Sequence, residues 1–292
     1  MFAGIHTAII TPFLNGKLDE EALRKLVDFQ FDHGVSGIVP CGTTGEAPTL
    51  SYEEHDEVIK LAIQFAKGRG IVMAGTGSNS TREAIELTQQ AEAAGAQAAL
   101  LVAPYYNKPT PEGLYRHFKA IAENTGLPLM LYSISGRCGI EIGLDVVGRL
   151  VDSCPNIRAM KEAEGKPDRV SQMKSLLPPD FEILSGDDSL TLPFMSVGAV
   201  GVVSVAGNLI PREMSQLVQH AHRGQWAEAQ ALHAKFNPLF SAFLKLSTNP
   251  IPIKTAMALA GHCTGELRLP LCEMNAAQTA ELKSTMERLG LL

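Results

Sequence analysis

Lys161 and Glu162 close an otherwise apolar, extended-looking run, I-R-A-M-K-E-A-E-G at Ile157 to Gly165, before a glycine opens the next helical segment. If the run is a buried strand, Lys161 stands at its C-terminal end, where α/β proteins gather their functional groups. The same place would suit a lysine that snorkels to solvent or pairs with Glu162. Its companions at other candidate strand ends favour chemistry. Gly42-Thr43-Thr44-Gly45-Glu46 sets two hydroxyls and several backbone N–H groups between glycines, which suits a small carboxylate, or simply a tight turn. Pro104-Tyr105-Tyr106-Asn107 follows another run, Tyr132 ends a third with Arg137 soon after, and Gly186-Asp187-Asp188 and Ser204 to Asn208 follow two more. Only five tyrosines occur in the chain, so three at two strand ends is a concentration, although a strand-end tyrosine can equally be a core residue with a bonded hydroxyl.

A lysine surrounded by hydroxyls makes physical sense as an imine-forming nucleophile. Its amine must be neutral to attack a carbonyl, yet at an ordinary pKa of about 10.4 only about one lysine in two thousand is neutral at pH 7. Burial at a strand end can lower the pKa by ~3 units, about 4 kcal/mol. Tyrosine and threonine hydroxyls can then move protons to and from the carbinolamine without setting a carboxylate beside the amine. Asp187 and Asp188 would repel a phosphate dianion, so the expected substrates are unphosphorylated, with a carboxylate for Arg137 or the Gly-Thr-Thr loop. Eight histidines lie without an H-E-x-x-H, and His220 and His222 are two apart, on different faces of a helix. No metal and no cofactor are expected.

The elements that would position these groups alternate. Short aliphatic and β-branched runs at Ile5 to Ile10, Gly37 to Cys41, Ile71 to Thr76, Ala98 to Ala103, Pro128 to Ser133, Ile157 to Glu162, Phe181 to Gly186 and Val200 to Val205 read as strands. Between them, segments such as Asp19 to His33, Ser51 to Lys67, Ser80 to Ala94, Thr110 to Asn124 and Leu144 to Ser153 have helical periodicity. Ser51 precedes Glu53 and Glu54, and Ser80 stands three residues before Glu83, the spacing of a capping box. About eight such units predict a (β/α)8 TIM barrel over residues 1–224. A doubly wound open sheet would need a Gly-rich turn after its first strand, and Thr11-Pro12-Phe13 is nothing like one. From residue 225 the strand rhythm stops, and Gln225 to Ser247, Ile253 to Gly261 and Asn275 to Leu289 read as a C-terminal helical extension, residues 225–292, with a break expected at Pro238.

Composition excludes other classes. With 45% hydrophobic and 19% charged residues among 292, a large core can be buried. A net charge of −6 without a basic cluster argues against nucleic acid or an anionic membrane. Five scattered cysteines without a C-x-x-C pair fit reduced thiols. M-F-A-G-I-H-T has neither a basic n-region nor a long apolar h-region, so a cytoplasmic protein is expected.

G-T-T-G-E at Gly42 to Glu46, Y-Y-N-K-P at Tyr105 to Pro109, Y-x-x-x-x-R at Tyr132 to Arg137, K-E-A at Lys161 to Ala163 and S-G-D-D at Ser185 to Asp188 closely resemble the dihydrodipicolinate synthase family, as do G-V-V-S-V, N-P-I-P-I-K and L-R-L-P further on. That family belongs to the pyruvate-dependent class I aldolases, which include the N-acetylneuraminate lyases and keto-deoxy sugar acid aldolases. The resemblance implies a TIM barrel, usually a homotetramer, that condenses pyruvate with L-aspartate 4-semialdehyde in diaminopimelate and lysine biosynthesis. It implies that Lys161 forms the Schiff base and that Tyr132, Thr44 and Tyr106 relay protons, Tyr106 reaching in from a neighbouring subunit. Thr43 and Thr44 would hold pyruvate's carboxylate and Arg137 the semialdehyde's, with Gly186 and Val203 lining the pocket. It further implies a lysine-inhibitor cleft at a subunit interface, matched here by His55, Asn79, Glu83 and Tyr105. Against the sibling lyases stand Thr43-Thr44 and Arg137; a barrel reduced to a binding or regulatory protein would show erosion of the lysine or the tyrosines, and none is seen. Where the family commonly reads Y-N-x-P-x-R-T, this chain has Tyr132-Ser133-Ile134-Ser135-Gly136-Arg137-Cys138. Losing the proline frees the backbone ahead of Arg137 by up to about 1 kcal/mol, which bears on the rigidity of that loop.

Overall fold

The computed structural model describes all residues, 1–292. Eight parallel strands, β1 (Gly4–Ala8), β2 (Gly37–Val39), β3 (Ile71–Gly75), β4 (Ala98–Val102), β5 (Leu129–Ser133), β6 (Ile157–Glu162), β7 (Glu182–Ser185) and β8 (Gly201–Ser204), form a closed barrel in which β8 pairs with β1. Closure rules out the doubly wound sheet. Around the barrel run α1 (Glu20–Asp32), α2 (Tyr52–Ala66), α3 (Thr81–Ala94), α4 (Pro111–Ala122), α5 (Leu144–Ser153), α6 (Pro167–Leu176), the short α7 (Thr191–Met195) and α8 (Pro211–His222). Every strand overlaps its expected run, and β6 has the expected bounds. The ends of most other runs, such as Ile9 and Ile10, lift out of the ladder into the loops at the barrel's mouth.

Side-chain parity decides what faces the barrel axis. Met130 and Tyr132 on β5 join an inner cluster with Ala159, Leu184 and Val203, whereas Leu129 and Leu131 join the outer core under the helices. On β6, Met160 packs outward and Ala159 inward, so Lys161, two residues past Ala159, points to the axis. A strand end of that parity delivers a side chain into the mouth.

Helix starts follow their caps. Ser51 forms a full capping box with Glu54 ahead of α2. Ser80 accepts from the Glu83 N–H, but the Glu83 carboxylate is taken by Tyr52 and Ser78, so the box expected there is half made. Three further helices, α9 (Trp226–Lys245), α10 (Ile251–Leu259) and α11 (Ala276–Arg288), complete the chain. The break expected at Pro238 does not occur, because α9 runs through it. An interior proline costs a helix about 3 kcal/mol, whereas Phe236, Leu239, Phe240 and Phe243 of α9 are buried in the main core at about 1.5–3 kcal/mol each. Packing therefore outweighs the proline. α10 begins ahead of expectation, at Ile251, with Pro252 in its first turn, where a missing N–H costs nothing. No helix is long and apolar enough to cross a membrane, and all five cysteines are free thiols.

Candidate active site

Lys161 and Tyr132 are paired in the β5–β6 register, and the Lys161 amine lies 4.0 Å from the centre of the Tyr132 ring. The lysine neither snorkels nor pairs with Glu162. It is 6% exposed, while the Glu162 carboxylate accepts from Arg169 Nε at 2.8 Å and from the Glu164 N–H at 2.8 Å. Burial lowers the Lys161 pKa to about 7; the negative charge of Asp188 opposes that shift and the Arg137 guanidinium adds to it. A far larger share of the amine is thus neutral near pH 7 than in an exposed lysine. Burial also pushes the Tyr132 hydroxyl well above its usual range, so it remains a neutral donor beside the amine. Gly186 leaves room for the lysine stem: a Cβ there would stand 3.1 Å from Lys161 Cε and 2.7 Å from the Ala163 methyl.

Asp188, after β7, is buried and accepts from Ser204 Oγ, the Ala206 N–H at 2.8 Å and the Val205 N–H at 3.1 Å. Burial raises its pKa to about 6 against those bonds. It ties the β7 and β8 loops together and contributes the anionic field felt by Lys161.

The loop after β2 brings Thr43 and Thr44. Thr44 is buried, and its hydroxyl oxygen accepts from Asn249 Nδ2 at 3.0 Å, which leaves its own proton free to donate toward the mouth. Thr43 is half-buried beside it. Glu46 closes the loop in a left-handed conformation, φ 54°, and its buried carboxylate is paired with Lys254 of α10 and accepts from the Arg268 N–H at 3.1 Å. The Lys254 ammonium also donates to the Glu266 carbonyl at 2.7 Å and lies 4.2 Å from the Phe13 ring centre. Val203 on β8 is fully buried within the inner cluster.

Arg137 sits on a single helical turn, Ser135–Cys138, after β5. Its side chain is exposed and donates to the Asn249 carbonyl at 3.2 Å and Thr248 Oγ1 at 3.4 Å. The segment between α9 and α10 therefore touches both Thr44 and Arg137. Residues 248 and 249 received no role from the sequence, although the N-P-I-P-I-K motif that begins at Asn249 was the available signal. A cleft lined by Gly186, Asp187, Asp188, Val205, Phe243 and Asn249 opens beside the mouth.

Tyr106 is not brought to Lys161 within this chain. It is 90% exposed, has the left-handed φ of 74° that a bulky side chain seldom adopts, and makes no hydrogen bond. Its loop is pinned to α3's start by Asn79 Nδ2 donating to the Tyr105 carbonyl at 3.0 Å and Asn107 Nδ2 donating to the Asn79 carbonyl at 2.9 Å. Asn79, Glu83 and the half-exposed Tyr105 thus lie close together, Glu83 engaged by Tyr52 and Ser78. His55 is buried, its Nε2 bonded to the Gly75 carbonyl at 2.9 Å, and burial lowers its pKa. No three His, Cys, Asp or Glu side chains gather as metal ligands would.

Residues 1–289 match the model of the dihydrodipicolinate synthetase family. The 4-hydroxy-tetrahydrodipicolinate synthase of Endomicrobium trichonymphae is 49% identical over 292 residues, covering 100% of both chains. The solved structure of the 4-hydroxy-tetrahydrodipicolinate synthase from Methylacidiphilum fumariolicum SolV superposes with a TM-score of 0.98 at 52% identity, over 99% of this chain and 96% of that one. The Cyanidioschyzon merolae enzyme, solved with lysine bound, gives 0.96 at 40% identity over 100% of this chain and 99% of that one.

Proposed function

The chain belongs to the dihydrodipicolinate synthetase family, and from that premise we infer that it condenses pyruvate with L-aspartate 4-semialdehyde to 4-hydroxy-tetrahydrodipicolinate, a step of diaminopimelate and lysine biosynthesis. The observation that carries the chemistry is the buried Lys161 amine beside the Tyr132 ring, with a pKa of about 7. Neutral, the amine adds to C2 of pyruvate. Water leaves the carbinolamine and an imine forms; loss of a C3 proton gives an enamine, whose C3 attacks the semialdehyde's aldehyde carbon. The semialdehyde's amino group then takes the place of Lys161 at C2, closing the ring and freeing the lysine.

In this reading the Tyr132 and Thr44 hydroxyls carry the protons, Thr44 oriented by Asn249. Thr43 and Thr44 hold pyruvate's carboxylate, and Gly186 and Val203 shape the space around it. Arg137, at the rim, takes the semialdehyde's carboxylate through a guanidinium suited to bidentate binding. Tyr106 completes the relay from a second copy of the chain, which accounts for a strained, fully exposed tyrosine with no partner of its own. The assembly is a homotetramer in the cytoplasm, and free lysine binds at Asn79, Glu83, Tyr105 and His55, where Glu83 supplies a carboxylate for an ammonium. Product formation from pyruvate with a panel of aldehydes tests the reading: the semialdehyde should be the preferred acceptor by a wide margin, and a preference for a sugar aldehyde would refute it.

A further inference from the structure

The Glu164 carboxylate, three residues past Lys161, grips the start of the loop that carries Arg137. Its Oε1 accepts from Ser133 Oγ at 2.7 Å and from the Ser135 N–H at 2.9 Å, and its Oε2 accepts from Ser135 Oγ. Ser133 Oγ accepts in turn from the Ile142 N–H at 3.1 Å, at the loop's far end. There the Arg169 guanidinium donates to the Ile142 carbonyl and to Glu141, and Arg169 is itself fixed by Glu162. Both ends of the loop are thus tied to the segment that follows the proposed nucleophile.

Between the ties the loop is held from inside by Cys138, buried in the core, and by Ile134 and Ile140 packed against it, whereas Gly136 and Arg137 stand exposed. Its helical turn opens at Ile134 without a side-chain cap, and a Cβ at Gly136 would meet nothing within 4 Å. The Arg137 side chain is exposed, with two bonds at 3.2 and 3.4 Å toward Asn249 and Thr248. An exposed glycine–arginine pair in a turn takes its geometry from the residues that anchor either side of it. A carboxylate suits the task, since its two oxygens accept from three donors at once, a set that no neutral side chain of that length matches.

We propose that Glu164 is the positioning residue of Arg137: by holding Ser133 and Ser135 it sets where the guanidinium stands over the mouth and so governs recognition of the second substrate's carboxylate. The inference rests on the reading of Arg137 as the group that binds that carboxylate. It adds to that reading a residue that touches neither substrate.

Steady-state kinetics of Glu164→Ala, Ser135→Ala and Arg137→Ala, with borohydride trapping of pyruvate alone as a second readout, tests it. Glu164→Ala should raise KM for the semialdehyde about tenfold, the factor that one charge-assisted hydrogen bond commonly carries, with a smaller change in kcat and wild-type trapping of pyruvate. Ser135→Ala removes one donor and no charge; it should raise the same KM about threefold, and it carries the test if Glu164→Ala yields no folded protein. Adding Glu164→Ala to Arg137→Ala should do little more, because both act through one contact. A semialdehyde KM unchanged by Glu164→Ala and Ser135→Ala while Arg137→Ala is impaired would overturn this inference alone, as would full multiplication of the two defects or an equal loss of pyruvate trapping. An unimpaired Arg137→Ala would overturn the reading of Arg137 and this inference with it.

Discussion

Lys161 and Tyr132 are direct partners on adjacent parallel strands, and the amine stands 4.0 Å from the centre of the aromatic ring. A ring face attracts a cation, which alone would raise the lysine's pKa. Burial works the other way and dominates, leaving the amine at about pKa 7. The pairing therefore supplies a nucleophile and a neutral hydroxyl donor without a charged base.

That balance predicts a pH profile. Protonated lysine cannot attack, so kcat/KM for pyruvate should rise as pH increases through about 7 and level off above it. Arg137 lowers the lysine's pKa, so Arg137→Ala should move the rising limb to higher pH. Asp188 raises it, so Asp188→Asn should move the limb lower. A limb that neither variant moves would mean that another group titrates.

Tyr106 predicts complementation between subunits. Tyr106→Phe and Lys161→Ala should each be severely impaired, whereas subunits unfolded together and reassembled should regain activity, since a Tyr106→Phe subunit keeps its lysine and receives Tyr106 from its neighbour. Recovery absent at every mixing ratio would place Tyr106 outside the neighbouring site.

Much of the site was legible because parallel strands bring their C-terminal ends to one mouth. Reading the ends of eight runs therefore collected Thr43, Thr44, Tyr132, Lys161, Gly186 and Asp188 without knowledge of contacts. The parity of β6, with Met160 out and Ala159 in, which turns Lys161 to the axis, became visible only in the structure. Less could be seen of what depends on partners far apart in sequence. Asn249 reaches Thr44 across 205 residues, and Lys254 reaches Glu46 across 208; no local pattern encodes such meetings. Pro238 misled for the same reason, because the local cost of a proline is visible in sequence and the tertiary burial that offsets it is not.

The buried Lys254–Glu46 pair holds the threonine loop to α10, and both side chains are fully buried. Removing one partner leaves an uncompensated buried charge, so Lys254→Met should cost about 3–5 kcal/mol of stability. Lys254→Met with Glu46→Gln should cost less. Denaturant unfolding of Lys254→Met, Glu46→Gln and the double variant measures this, and a double variant as unstable as the sum of the two singles would show that the pair itself matters little.

Lysine inhibition can be read through Glu83. Its carboxylate is engaged by Tyr52 and Ser78, so an incoming ammonium must compete for it. Lysine titration should show inhibition that is not competitive with pyruvate, weaker in Glu83→Ala and stronger in Tyr52→Phe, which frees one oxygen. Wild-type enzyme that ignores lysine would mean that these residues serve packing alone.

The central claim, that Lys161 is the imine-forming nucleophile, is tested most directly by reducing the protein with borohydride in the presence of pyruvate and mapping the product by peptide mass spectrometry. One pyruvate-derived adduct on the peptide containing Lys161, absent from Lys161→Ala and from reactions without pyruvate, is the expected result. No adduct, or an adduct that persists in Lys161→Ala, would contradict it.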